Sequence, residues 1–476
     1  MTMIGSFCLF LGLFVLVGLS SSLKSRKTKQ DYYVASSSVH PGLVGLSAVA
    51  TNNSGYMFIG VIGYTYVTGL ASIWLMTGWI LGDLMASFLV HGKLRQATED
   101  TGEASYAGLL SHWSGVRFHA WQKLAALISL LFLMAYTGAQ LVAGSKALMV
   151  LFHWPAWAGA VMGAVMVALY CVAGGIRASI WTDAAQSVVM ICAMGLLLFV
   201  GTQSLGGLDA AIAQMRQIDG FMDWYPRDMI VPGVAGGLLF VMGWLFAGLS
   251  VIGQPHVMVR FMTLNETSKI MQARAWYYLW FTAFYCMATG VGMLSRIYLA
   301  TPDSFDAELA LPMMAQELFP PVLVGLVLAG IFAATMSTAD SLVLSCSAAI
   351  THDLLPHNIE DTRLLKLTTV VITALALGWA LLNQQSVFNL VVMSWSGLAS
   401  SFAPLLLIWC LGGRPNQAVA MFMTLTGLTV ALTWRWLGWH AAIYEGMPGI
   451  LAGLFVYGCY RLARLPVARS AVNTNA

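Results

Sequence analysis

Apolar runs of about twenty residues follow one another along almost the whole chain, with only short loops between them. Twenty apolar residues are what a helix needs to cross a bilayer. Charged residues make up 9% of the 476 positions and hydrophobic ones 59%, whereas soluble domains carry about 25% charged residues. The expected fold class is therefore an all-α integral membrane protein with about 13 transmembrane helices. The runs read as spans at 3–22, 43–68, 71–90, 123–145, 156–174, 182–203, 231–253, 274–300, 321–350, 365–383, 386–411, 417–435 and 447–463. Nothing outside them is long enough to bury a separate soluble core, so residues 1–476 read as one transmembrane domain.

Lys24, Arg26, Lys27 and Lys29 come directly after the first run, and no basic residue precedes it. That is the reverse of a cleaved signal peptide, and it places the N-terminus outside. With thirteen spans the tail beginning Arg461-Leu462-Ala463-Arg464 is cytoplasmic, and basic residues divide roughly eighteen to five in favour of inner segments. The net charge of +3 is thus a matter of topology. No phosphate loop or basic recognition helix is present, so the expected partners are the bilayer and small solutes, not nucleic acid. The seven cysteines lie in or beside spans with no CxxC pair, which gives no sign of a disulfide framework or zinc site. No nucleophile–base pair or metal motif occurs either, and enzymatic chemistry is not expected.

Two spans look internally broken. Ala50-Thr51-Asn52-Asn53-Ser54-Gly55 interrupts the second, and Gly243, Gly248 and Ser250 lead to Gly253-Gln254-Pro255-His256 in the seventh. Gly, Asn and Ser favour non-helical backbone, and unwound backbone at membrane depth survives where it lines a cavity. Broken helices five spans apart point to an inverted repeat with a site at its midplane.

The span at 321–350 carries Ala333-Ala334-Thr335-Met336-Ser337-Thr338-Ala339-Asp340-Ser341. Ala334, Ser337 or Thr338, Ser341 and Ser345 share one face. Hydroxyls and freed carbonyls suit a small hard cation that must also be released, and the carbonyls of Ala50 and Asn53 complement them. The plainer reading is hydroxyls bonding back to their own helix. Asp83, Asp183 and Asp340 are the carboxylates within or near spans. Asp183 reads either as a charge at a helix N-terminus or as a stop on a cation's way in. Gln140 is a solute contact or interhelical glue. His256, beside Gln254 and Arg260, ends a loop at the inner surface or acts as a gating or proton group.

Several stretches resemble the sodium/solute symporter family, and most closely its bacterial sodium/proline branch. They are Lys29-Gln30-Asp31-Tyr32-Tyr33-Val34-Ala35, the run from Gly174-Gly175-Ile176-Arg177 to Asp183 and Gln186, Gly253-Gln254-Pro255-His256 through Arg260-Phe261-Met262, Trp395-Ser396-Gly397-Leu398 through Pro404, and Tyr444-Glu445-Gly446-Met447-Pro448-Gly449. The resemblance implies a leucine-transporter-like 5+5 inverted-repeat core at about 43–411, with one span before it (3–22) and two after (417–463). It implies sodium bound by Ala50, Asn53, Ala334, Ser337 and Thr338. A second ion or exit path would involve Asp183, Asp340 and Ser341, and His256 and Arg260 would serve gating or coupling. The solute would lie at Asn52, Ser54, Gly55, Gln140, Ala247 and Val251.

Two departures stand out. The proline branch has an aspartate where this chain has Asn52, and the lost charge is expected to come from Asp340 across the site. The branch also has Trp and Tyr where this chain has Ala247 and Val251, which reshapes the pocket. The expected activity is sodium-coupled import of a small organic solute, proline or a related amino acid, by alternating access at the cell inner membrane. No cofactor beyond the coupling ion Na+ is implied. A proton-coupled symporter and a solute-sensing membrane protein are the alternatives.

Overall fold

A computed structural model describes residues 2–464 apart from 228, 230, 300–303, 356–358 and 383–385. The expected span ends at 300 and 383 and the tail beyond Arg464 lie outside the described residues. The helices in chain order are α1 (Met3–Ser20), α2 (Lys29–Val34), α3 (Pro41–Gly55), α4 (Ile62–Thr68), α5 (Ile73–Thr101), α6 (Tyr106–His112), α7 (His119–Phe152), α8 (Ala156–Ser204) and α9 (Leu208–Met215). Then come α10 (Gly233–Leu249), α11 (Pro255–Met262), α12 (Ile270–Tyr298), α13 (Ala310–Leu318), α14 (Pro321–Ala348), α15 (Thr362–Leu382), α16 (Val387–Cys410), α17 (Gln417–Trp436) and α18 (Gly446–Ala463). Among the described residues, nine helical stretches are long and apolar enough to cross a membrane. The outward faces of α1, α8, α15 and α18 carry exposed Leu16, Phe199, Leu375 and Phe455, as a lipid-facing surface requires.

α14 is the spindle of the fold. From Val324 to Ala348 nearly every side chain is buried, against α8, α7, α3 and α1. The interior around it is built on small residues. Gly82 of α5 and Gly248 of α10 bring two backbones together: a Cβ at Gly82 would sit 1.9 Å from the Leu245 carbonyl oxygen, and one at Gly248 2.1 Å from that of Trp79. Close backbone approach of this kind replaces hydrophobic force as the source of helix association in lipid.

The structure redraws several expected boundaries. The second and third spans are one continuous stretch from Pro41 to Thr101, broken at Ser54 and turned at Gly69. The spans at 156–174 and 182–203 join without a loop as α8, with the change of direction taken by Gly175 at φ 57°, ψ −141°. A Cβ there would also collide with the Tyr32 carbonyl oxygen at 2.5 Å. Gly243 and Gly248, expected within a broken region, lie in unbroken α10, and the break begins only at Ser250. Among the described residues of the 204–230 segment there is one short helix, α9, and Trp224 and Tyr225 pack over Trp74.

Candidate ion and solute site

The α3 break is local and strained. Ser54 takes φ 31°, ψ 179°, a region non-glycine residues rarely adopt, and a widened turn follows over Tyr56–Val61. Side chains fill the gap in the backbone ladder. The Gly55 amide donates to Gln140 Oε1 (2.8 Å), the Tyr56 amide to Ser54 Oγ (3.1 Å), and Tyr136 donates to Ser54 Oγ (3.2 Å). Gln140 thus caps the break through its oxygen while its amide nitrogen stays buried without a partner. Gly55 has no room for a side chain: a Cβ would lie 2.6 Å from Thr335 Cγ2.

Opposite the break, α14 offers its hydroxyls. Ser337 Oγ lies 3.1 Å from both the Ala50 and Ala334 carbonyl oxygens, and Thr338 Oγ1 lies 2.9 Å from the Thr51 carbonyl oxygen and 3.3 Å from that of Ala334. Oxygens at a hard cation sit about 2.3–2.6 Å from it, so oxygens about 3 Å apart already stand near the spacing of one shell. Asn53 departs from expectation. Its carbonyl accepts the Tyr56 amide, and the carbonyl that faces α14 is that of Thr51, one residue beyond Ala50. The run Ala50-Thr51 contained the signal, but the register of the unwound segment decides which carbonyl turns inward.

A second polar centre lies further along the same α14 face. Asp183 Oδ2 accepts from Ser47 (2.6 Å), and Asp340 Oδ1 accepts from Ser179 (2.7 Å) and Ser341 (3.0 Å). Arg260 of α11 stands between the carboxylates, with Nη2 at 3.5 Å from Asp183 and 3.7 Å from Asp340. It also donates to Ser179 and Ser341. All three charged groups are essentially fully buried, and two carboxylates against one guanidinium leave a formal charge of −1. Asp183 Oδ1 and Asp340 Oδ2 have no hydrogen-bond partner. A cavity lined by Arg260, Ser341, Ser345, Tyr33, Tyr106 and Asp353 runs from here toward the α5–α6 connection.

Asp340 therefore does not face Asn52. One residue step along a helix is about 100°, which turns Asp340 from the α3 carbonyls toward α8 and Arg260. The Asn52 side chain instead donates to the Tyr277 hydroxyl (2.5 Å), which donates to Asp83 (2.7 Å).

The second break runs through Ser250–Gly253 to an extended Gln254, and α11 starts at Pro255. Gln254 Nε2 donates to the carbonyls of Ser250 (3.1 Å) and Trp395 (2.9 Å), while Trp395 Nε1 donates to the Ala247 carbonyl (3.1 Å). His256 is not a surface loop residue. It is fully buried, with its ring edge-on to Tyr136 (5.5 Å) and Trp395 (6.0 Å). Ala247 and Val251 lie buried at this break. Aromatic residues not anticipated as site residues lie buried between the breaks: Tyr56, Trp79, Tyr136 and Trp395, joined by ring contacts of 5.4–6.5 Å. Trp395 stood in one of the recognised motifs; the others carried no sequence signal beyond being aromatic within spans.

Polar contacts stand at both ends of this interior. At one end Glu308 pairs with Lys146 and accepts the amides of Val387 (3.1 Å) and Phe388 (2.9 Å), which caps α16. A cavity of about 230 Å³ beside it is lined by Tyr64, Trp244, Phe388, Arg435 and Glu445, the last two ion-paired at 2.6 Å. At the other end Glu103 receives His352 (2.9 Å), His112 (3.2 Å) and Arg117. Burial pushes the Glu103 carboxyl up, yet His352, Arg117 and His112 together hold it below the usual glutamate range. Asp31 of the first recognised motif pairs with Arg177 of the second at 2.5 Å, which ties α2 to α8.

The profile of the sodium:solute symporter family matches residues 32–427. The chain belongs to that family. It is thus a multi-pass membrane transporter, not an enzyme, and couples movement of a solute to that of sodium. It is 29% identical over 468 residues to the sodium/proline symporter of Escherichia coli K12, covering 95% of this chain and 91% of that one. It is 28% identical to the high-affinity proline transporter of Bacillus subtilis 168, covering 89% and 90%. Among solved structures, a Na+-coupled sialic acid symporter in its substrate-bound outward-open state matches with a TM-score of 0.80 at 18% identity, over 96% of this chain and 98% of that one. A nucleobase-cation-symport-1 family transporter in a closed conformation matches with a TM-score of 0.57 at 14% identity, over 90% and 94%. The fold is the leucine-transporter-like one that the family resemblance implied.

Proposed function

We propose that this symporter imports proline or a closely related small amino acid with sodium across a cell inner membrane. The observation that carries the reading is the oxygen cluster of Ala50, Thr51, Ala334, Ser337 and Thr338 at the α3 break, next to the buried side chains of Tyr136, Gln140 and Trp395. The cluster is where sodium binds. The solute lies between the two breaks, against Ser54, Gly55 and Gln140 on one side and Ala247 and Val251 on the other. Trp395, Trp79 and Tyr56 provide the aromatic surface that Ala247 and Val251 do not. Asp183, Asp340 and Ser341 line the ion's inner route, with Arg260 and His256 coupling it to the second break. The relatives named as proline symporters span nearly all of the chain, which supports proline as the first solute to test.

In this reading the chain crosses the membrane thirteen times. The stretches Pro41–Thr101 and Ala156–Ser204 each cross twice, and Ile270–Tyr298 and Gly446–Ala463 add one crossing each to the nine apolar stretches. The N-terminus is outside and the C-terminus cytoplasmic, in keeping with the basic residues of the inner loops. The core is two five-helix units, with one span before and two after.

The test is uptake of labelled proline into proteoliposomes under an inward sodium gradient, under a proton gradient, and under neither. Sodium-driven accumulation is the expected result. Folded protein that takes up no proline in any condition removes proline and directs the search to other amino and organic acids.

A further inference from the structure

Asp83 lies in the middle of α5 and is fully buried. Its Oδ2 accepts from Tyr277 (2.7 Å), the Tyr278 hydroxyl lies beside it, and its Oδ1 has no hydrogen-bond partner. Among the described residues it forms no ion pair. The elements around it supply little charge. α10 brings no titratable side chain. α3 brings Asn52, whose own Oδ1 is also buried without a partner. α12 brings the two tyrosines and Arg274, but that guanidinium donates to the Ser87 carbonyl one turn along α5 and sits over Phe88. His91, two turns along α5, is buried with neither ring nitrogen bonded and stacks on Phe261 of α11 at 3.7 Å.

A carboxylate in hydrocarbon that meets only neutral donors lacks a countercharge, and either a proton or a nearby cation must complete it. Both are within reach of this geometry. The Tyr277 hydroxyl joins Asp83 to Asn52, and Asn52 is the residue after Thr51, whose carbonyl belongs to the oxygen cluster. A cation in that cluster attracts ionised Asp83 and not the neutral acid.

We propose that Asp83 is a proton-binding site of the transport cycle and that sodium arriving at the α3 break expels its proton. The inference rests on the sodium reading above. The exchange balances without a further reactant: Na+ binds the carbonyl and hydroxyl oxygens, the Asp83 O–H bond breaks, the proton leaves to solvent, and the carboxylate keeps the hydrogen bond from Tyr277. It also accounts for a neutral Asn52 at the break. The negative charge that favours sodium stands one hydroxyl further out, on a group that protons can silence.

The test uses purified full-length protein in lipid nanodiscs, with NaCl added against choline chloride in weakly buffered solution. Binding of radioactive sodium and release of protons to an indicator dye are read together across pH. The wild type is expected to release up to one proton per sodium bound, with sodium affinity improving up to about tenfold per pH unit until Asp83 is fully ionised. Asp83→Asn is expected to bind sodium more weakly, with a flat pH profile and no proton release. Asp83→Glu is expected to restore release, and Tyr277→Phe, which keeps the carboxyl and removes a donor that stabilises its ionised form, to shift the profile to higher pH. Sodium binding without proton release in the wild type overturns the inference and leaves the sodium reading standing. So does release from Asp83→Asn equal to wild type or, should that variant not fold, an unchanged profile in Tyr277→Phe. No sodium binding at any pH overturns both.

Discussion

Replacing Thr338 by valine is the sharpest test of the proposed ion site, because it removes one oxygen and keeps the shape. Thr338 Oγ1 is one of five clustered oxygens and reaches both the Thr51 carbonyl (2.9 Å) and the Ala334 carbonyl (3.3 Å). Both carbonyls remain in helical segments, so the fold loses only about 1 kcal/mol from the missing hydrogen bond. A bound cation loses a direct ligand. An interaction with a charged group is worth about 1.5–3 kcal/mol, and 1.4 kcal/mol is tenfold in affinity. The sodium concentration for half-maximal uptake should rise at least about tenfold, with uptake recovering at high sodium. Ser345→Ala is the matched control. Ser345 lies on the same helix face, but its hydroxyl donates to Ser341 of its own helix (2.8 Å) and to no α3 carbonyl, so its sodium dependence should be that of wild type. The assay is solute uptake into proteoliposomes over a sodium series. A folded Thr338→Val protein with wild-type sodium dependence would refute the cluster as the ion site.

Other expectations follow from contacts already described. Gly55→Ala places a methyl group 2.6 Å from Thr335 and 2.9 Å from Gln140 Oε1, and should abolish solute binding measured by equilibrium dialysis while leaving helix content by circular dichroism intact. Gly82→Ala drives a Cβ into the Leu245 carbonyl, and the forced separation of α5 and α10 should lower thermal stability in detergent by about 1–3 kcal/mol. Glu103 is held below its unfolded value, so its contribution is present above about pH 4.3 and is lost as pH falls through the folded value. Melting temperature measured from pH 7 to pH 3.5 should therefore fall less in Glu103→Gln than in wild type, from a lower starting point.

How far the sequence could be read depended on whether the deciding contact was local. Asn52-Asn53-Ser54-Gly55 marked the first break because those residues disfavour helix wherever they stand, and the strained residue is Ser54. The second break was legible only as a region, since Gly243 and Gly248 weaken helix on paper yet here serve close packing with Tyr444 and Trp79. The expected span end at 174 falls beside the kink at Gly175, but nothing local showed that a single residue makes the turn. The hydroxyl side of the proposed ion cluster was readable because hydroxyls three and four residues apart on α14 must share a face. Which α3 carbonyls meet them depends on tertiary register, and Thr51 in place of Asn53 is the result. Asp340 and Asp83 looked alike as carboxylates within apolar helices. Only the packing of α11 and α12 shows that the first belongs to Arg260 and the second to Tyr277 and Asn52.

The two seams around α3 to α5 differ in what they permit. Where α5 meets α10, glycines set backbone against backbone, and a slide of one helix past the other would drive carbonyls into Cα atoms. Where α3 meets α14, contact is made by hydroxyls on carbonyls, bonds that an ion or a water molecule can take over with little change in energy. Motion that opens this protein will therefore follow the second seam and spare the first. If sodium sits there as proposed, it is more than cargo: it fastens a joint that is free to part, and its departure unfastens it.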